Sequence, residues 1–174
     1  MCIRVLKSHH LTFQDLEVRD VANGTGTTSV PSIGVGGGAR YTTLARVTVT
    51  GTHKAFGDYL GGRCVYEGQG TTTESGHHLT IEQSMFHDCG GHGDVRAQSQ
   101  HPFLTRGACC CKIRYNQIFS NGRNRCLAFG GVSLGNTVNS SLVAANKIYI
   151  NPSGAGIEIL RRAGANQYRE HHCQ

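Results

Sequence analysis

Tryptophan is absent from this 174-residue chain, and proline occurs only three times. So little proline argues against an extended linker-type chain. The missing tryptophan removes the broad ring surface that favours tight binding of neutral sugars. No stretch approaches the run of about 18 apolar residues that a membrane-crossing helix needs. The opening residues, Met1-Cys2-Ile3-Arg4-Val5, have no apolar run long enough for a signal peptide. No apolar period of about 3.6 residues is sustained anywhere, so helix should be scarce. The signatures of nucleic-acid modules are missing, and with 7% aromatic residues a base-stacking platform is not expected. Neither nucleic acid nor membrane is therefore expected as a partner.

What is present points to short strands and tight turns: 24 glycines among many Val, Ile, Thr and Asn. The formal net charge is +6, without any run of five or more like charges, which favours an anionic partner over a basic tail. Eight cysteines include the consecutive Cys109-Cys110-Cys111. Their spacing fits neither a disulfide framework nor a zinc module. Several stand where a small apolar side chain would serve, which suits buried thiols and leaves the redox compartment open.

The strongest signal is a repeat. Triplets of the form apolar-x-apolar occur at Ile3-Arg4-Val5, Ile33-Gly34-Val35, Val65-Tyr66-Glu67, Val95-Arg96-Ala97, Leu127-Ala128-Phe129 and Ile157-Glu158-Ile159, advancing by 30 to 32 positions each time. A second pattern, apolar-x-x-small or polar-x-apolar, follows each of the first five. It reads Phe13, Leu16, Val18; Leu44, Val47, Val49; Ile81, Ser84, Phe86; Ile113, Asn116, Ile118; and Val143, Asn146, Ile148. His-His-Leu-Thr occurs at the same phase twice, at His9 to Thr12 and His77 to Thr80. One such unit cannot bury its own apolar side, whereas a stack of them buries it continuously. The pattern predicts an all-β fold, a right-handed parallel β-helix of about five to six coils, over residues 1–165. Residues 166–174 form a polar tail, and the chain reads as a possible piece of a longer solenoid. Asn116 and Asn146, then Asn121 and Asn151, are expected to stack as asparagine ladders, an architectural role that suits a turn-forming side chain.

Three segments carry a family resemblance: Phe86 to Gly93, Ile113 to Asn121, and Asn146-Lys147-Ile148-Tyr149-Ile150-Asn151 running on to Ile159. Their Asn-x-Ile…Asn turn and Gly-Ile-x-Ile strand opening resemble the right-handed β-helix proteins of the pectin-lyase-like superfamily, over nearly the whole chain. The resemblance implies a carbohydrate-linked role, usually extracellular or periplasmic, and leaves the activity open among lyases, glycoside hydrolases, epimerases and non-catalytic proteins. It also implies calcium as a possible ligand; the sequence itself calls for no cofactor.

Gly91-His92-Gly93 resembles the Gly-His-Gly element of polygalacturonases. The paired aspartates that glycoside hydrolysis requires are not found beside it. Lys112-Ile113-Arg114 reverses the Arg-Ile-Lys order of that family. Lyase chemistry would instead need a basic residue beside a uronate carboxylate. On the outward side of the first strand set, Arg4, Gly34, Tyr66, Arg96, Ala128 and Glu158 should stack, with Asp94 on the neighbouring outward position. His92, Asp94 and Arg96 are the candidate catalytic group, and Arg4, Tyr66 and Glu158 the candidate substrate contacts. Arg46, Glu82 and Arg114 form a second outward stripe, read as ordinary cross-strand pairing. The paired histidines His9-His10 and His77-His78 are repeat equivalents entering a strand, and no metal site is expected. The preferred reading is a β-helix repeat domain that binds or scaffolds on an acidic polysaccharide, since two catalytic motifs are missing. The alternative is a polysaccharide lyase, glycoside hydrolase or uronate epimerase.

Overall fold

A computed structural model describes residues 2–23, 31–51, 53–54, 63–67, 77–89, 95–98, 110–121, 129–135, 140–150 and 155–160. Among these residues every regular element is a strand and none is a helix. The first circuit of the chain runs through β1 (Ile3–Leu6), β2 (Thr12–Gln14), β3 (Glu17–Arg19) and β4 (Ala22–Asn23). The second runs through β5 (Pro31–Gly36), β6 (Thr43–Ala45), β7 (Thr48–Thr50) and β8 (His53–Lys54). The third holds β9 (Arg63–Glu67), β10 (Thr80–Glu82) and β11 (Met85–His87), and the fourth β12 (Val95–Gln98), β13 (Lys112–Arg114) and β14 (Gln117–Phe119). The fifth holds β15 (Phe129–Gly135), β16 (Leu142–Ala144) and β17 (Lys147–Tyr149), and β18 (Ala155–Leu160) opens a sixth.

Corresponding strands of successive circuits pair in parallel. The first sheet has the order β1-β5-β9-β12-β15-β18, the second β2-β6-β10-β13-β16 and the third β3-β7-β11-β14-β17, with β4 and β8 as a small fourth pair. The register is the one the repeat predicts. Ile3, Ile33, Val65, Val95, Val132 and Ile157 form one column of the first sheet. Phe13, Leu44, Ile81, Ile113 and Val143 form a column of the second, and Val18, Val49, Phe86, Ile118 and Ile148 one of the third.

Two expectations are corrected. The fifth triplet is Val132-Ser133-Leu134, not Leu127-Ala128-Phe129, because β15 is seven residues long and its register slips between Phe129 and Val132. A bulge of this kind absorbs extra residues without breaking the ladder, so two apolar-x-apolar triplets compete in the sequence and the later one wins. The second pattern, expected as one strand, is two strands in different sheets. Between them Asp15, Arg46, Gln83, Tyr115 and Ala145 all take positive φ, from 51° to 59°. This left-handed backbone is uncommon for side chains other than glycine and costs about 1–2 kcal/mol per residue. Ladder bonds help hold it: the Asp15, Arg46, Gln83 and Tyr115 amides each donate to a carbonyl of the next circuit at 3.1–3.3 Å.

The inward columns of all three sheets share one core that includes Val5, Ile33, Val35, Val65, Leu44, Ile81, Ile113, Val49, Phe86 and Ile118. Each such aliphatic contributes roughly 1.5–3 kcal/mol by leaving water. The column Leu16, Val47, Ser84, Asn116, Asn146 turns polar towards the later circuits and remains bonded. Asn116 Oδ1 accepts from the Ser84 amide at 2.9 Å, and Asn146 Oδ1 accepts from the Asn116 amide at 2.9 Å. Their Nδ2 groups donate to the Ile81 and Ile113 carbonyls at 3.0 and 2.8 Å. Asn121 does the same one corner later, accepting from the Cys89 amide and donating to the Phe86 carbonyl. The asparagines are ladder elements, as their spacing predicts; Asn151 lies outside the described residues.

Cys64 and Cys89 form a disulfide across the third circuit, with their Cα atoms 5.7 Å apart. The reading of the cysteines as buried thiols is corrected for this pair: they are distant in spacing but face each other across the circuit, which pairing by sequence interval cannot reveal. Cys111 keeps the predicted place, buried in the core.

Candidate functional site

Four of the six residues singled out in the sequence share one column. Arg4 pairs in register with Gly34, Gly34 with Tyr66, Tyr66 with Arg96, Arg96 with Ser133, and Ser133 with Glu158. Ser133 takes the place expected for Ala128, for the reason given above. Arg4 is exposed. Tyr66 is not: its exposure is 0%, against the expectation of an outward, substrate-contacting ring. Strict alternation fails here because this sheet is covered on both faces in its middle. All six residues of β5 are buried, as are Cys64 to Glu67 of β9. Parallel strands covered on both sides carry buried residues at consecutive positions. His92 and Asp94 lie outside the described residues.

The neighbour of Tyr66 is more unusual. Glu67 occupies the inward column of Val5 and Val35 and is fully buried. Its Oε2 accepts from the Cys111 thiol at 2.9 Å, while Oε1 has no hydrogen-bond partner. Loss of hydration pushes the Glu67 carboxyl up to about 8, against a weaker opposing pull from the thiol hydrogen bond. Burial, then the proximity of Glu67, push the Cys111 thiol far above its usual range. Both groups are therefore neutral at pH 7, and Cys111 lacks the thiolate character of a nucleophile. The signal for this pair was visible in the sequence as the one acidic residue at an inward triplet position.

The second and third sheets carry the more open face. Residues just after the inward column of the third sheet stack ring on ring. His87 and Phe119 lie 4.9 Å apart at 7°, and Phe119 and Tyr149 5.0 Å apart at 7°. The strand spacing of about 4.8 Å imposes this separation on any column of rings. His87 Nδ1 also lies 2.8 Å from Asp88 Oδ2 and 3.3 Å from Thr50 Oγ1. A second row, His10, Tyr41 and His78, stacks at the corner entering the second sheet, with centroids 4.7 and 4.5 Å apart. Both rows escaped the sequence reading, although the repeat register alone aligns their residues.

The charges on these faces are unequally matched. Arg46 donates through Nε and Nη2 to both carboxylate oxygens of Asp15 at 2.6 and 2.7 Å. That bond holds the Asp15 carboxyl below its ordinary range. Arg114 pairs with Glu82 at 2.8 Å, and Arg19 with Glu17 at 2.7 Å. The expected stripe of Arg46, Glu82 and Arg114 is thus corrected: Ala45 is the register partner of Glu82, and Arg46 stands one residue on, at the corner. Among the described residues Arg4, Lys7, Arg40, Lys112 and Lys147 have no carboxylate within ion-pair distance. Lys147 lies directly over Gln117 in the ladder, one sheet away from Lys112. Comparison of the chain with protein-family models, with curated proteins and with solved structures returned no match in any of the three.

Proposed function

We propose that the three parallel sheets wind as a right-handed parallel β-helix of the pectin-lyase-like type, and that the chain is a non-catalytic module holding an acidic polysaccharide along its outer face. The observation that carries this reading is the surplus of cations. The ion-paired carboxylates Asp15, Glu17 and Glu82 each have an arginine. Lys112 and Lys147 are exposed and have no carboxylate within ion-pair distance among the described residues, and Lys147 lies over Gln117 in the strand that carries Tyr149 of the ring row. Such a surface attracts polyanions. A ladder that repeats every circuit suits a ligand that itself repeats, because several weak contacts act together. The Cys64–Cys89 disulfide favours an oxidising location, extracellular or periplasmic.

Chromatography on immobilised alginate, pectin and chondroitin tests the proposal. The protein should be retained at low salt and eluted by added salt. The Lys112→Ala, Lys147→Ala double variant should bind about tenfold more weakly, since each exposed contact is worth up to about 1 kcal/mol. Failure to bind any of the three polymers, or elution unaffected by the double change, rejects the binding reading. Release of unsaturated products or new reducing ends during the same incubations rejects the non-catalytic part.

A further inference from the structure

The corner that leads into the second sheet concentrates histidine. His9 and His10 precede β2, Arg40 and Tyr41 precede β6, and His77 and His78 precede β10. Arg40 bridges in parallel to His9 on one side and to His77 on the other. One residue on, Tyr41 is stacked between His10 and His78. Three successive circuits therefore present two adjoining columns, His9-Arg40-His77 and His10-Tyr41-His78.

The backbone fixes this arrangement. His10, Tyr41 and His78 all take left-handed φ, of 56°, 54° and 60°. The His10 amide donates to the Arg40 carbonyl at 3.1 Å, and the Tyr41 amide to the His77 carbonyl at 3.0 Å. The side chains are held one above another before any ligand arrives, which lowers the ordering cost of binding.

His9, His10, Arg40 and Tyr41 are exposed. Residues 7–12, 39–43 and 77–80 contain no Asp or Glu, and Lys7 adds a further cation. Among the described residues neither His9 nor His10 has a carboxylate within ion-pair distance. His78 differs, because its Nδ1 is buried without a hydrogen-bond partner, and that nitrogen is out of a ligand's reach. It walls the stack, while His9 and His10 are open to an anion. Two residues past His78, Thr80 is the register partner of Lys112, so the corner continues the cationic face described above.

We propose that this corner is a second contact for an acidic polysaccharide, in which Arg40 and the imidazolium forms of His9 and His10 hold successive carboxylates. The inference rests on the polysaccharide-binding reading given above. Histidine is the side chain whose charge changes between about pH 5 and 8. A polyanion at the corner stabilises the imidazolium forms, so binding draws protons from solvent and strengthens as pH falls. Tyr41 favours the same state, because a charged His10 ring lies over its face.

The affinity of the full chain for alginate at pH 7.5 and pH 5.5 tests this, since carboxyl groups of ordinary acidity stay ionised at both. Binding should be about tenfold tighter at pH 5.5, the combined effect of two added exposed charges. The double variant His9→Gln, His10→Asn should lose that gain; asparagine is chosen at position 10 because it tolerates left-handed backbone. In the unsubstituted chain at pH 6.5, saturating alginate should shift the His9 and His10 imidazole NMR signals towards the protonated form. That measurement decides even where the double variant fails to fold. Binding of equal strength at both pH values overturns this proposal alone and leaves the polysaccharide reading standing. A gain that survives the double variant, or imidazole signals that bound alginate leaves in place, does the same. Absence of binding at both pH values overturns the polysaccharide reading together with it.

Discussion

Glu67 puts a carboxyl group in a column that otherwise carries Val5, Val35, Ala97, Leu134 and Ile159. It is neutral in the folded protein up to about pH 8, whereas its ordinary value of 4.5 applies once the chain unfolds. Its contribution is therefore complete below pH 4.5 and is lost as pH rises towards 8, because folding must then take up a proton. Each unit of that window is worth about 1.4 kcal/mol, several kcal/mol in all as an upper bound. Urea unfolding at pH 5 and pH 8 should show the wild type weakening with pH and Glu67→Gln nearly level between the two. Equal slopes for both proteins would show that Glu67 is not the group responsible. The acidic residue was readable in the third triplet, but its burial was not, since an exposed glutamate there would have looked the same.

At the scale of elements, the polar column shows how a parallel stack tolerates asparagine inside. Asn116 uses its side chain three ways: it accepts from Ser84, and it donates to both the Ile81 carbonyl and Asn146 Oδ1. Replacing it with leucine removes these bonds and strands the buried Ser84 amide. Asn116→Leu should therefore cost about 2–4 kcal/mol, since an orphaned buried donor costs roughly 1–3 kcal/mol besides the lost bonds. Asn146→Leu, in the outermost described strand pair, should cost less. Chemical denaturation of the two variants gives the order, and a larger loss for Asn146→Leu would contradict the ladder. The ladders were legible in the sequence because Asn116 and Asn146 recur at one phase. The bend between β2 and β3, and its equivalents, was not, because it rests on left-handed backbone at Asp15, Arg46, Gln83, Tyr115 and Ala145, residues with no shared chemistry.

Among the described residues each repeat pairs in parallel with its neighbours, and one covalent tie links Cys64 to Cys89 within the third. Closing a loop between positions 25 apart is worth about 3–4 kcal/mol in chain entropy. Reducing the Cys64–Cys89 bond, or replacing both residues with alanine, should lower the unfolding free energy by that order. A denaturation midpoint that does not move on reduction would show the tie to be idle. The surplus of cations over acidic partners also belongs to this scale, because Lys112 and Lys147 lie in different strands of different sheets, paired with Leu142 and Gln117.

The order of apolar residues along the chain by itself determined the all-β class, the circuit length and the parallel register. These follow from a spacing that puts like residues one above another, and burial of a continuous apolar column is the dominant gain available to such a chain. Tertiary structure alone decided which outward positions meet water. Tyr66 and Arg4 share a column, yet one is buried and the other exposed. Tertiary structure likewise decided that Cys64 meets Cys89 and that Glu67 meets Cys111. Periodicity reports the direction in which a side chain leaves its strand; what lies over it depends on segments far away in sequence, whose approach leaves no period to read.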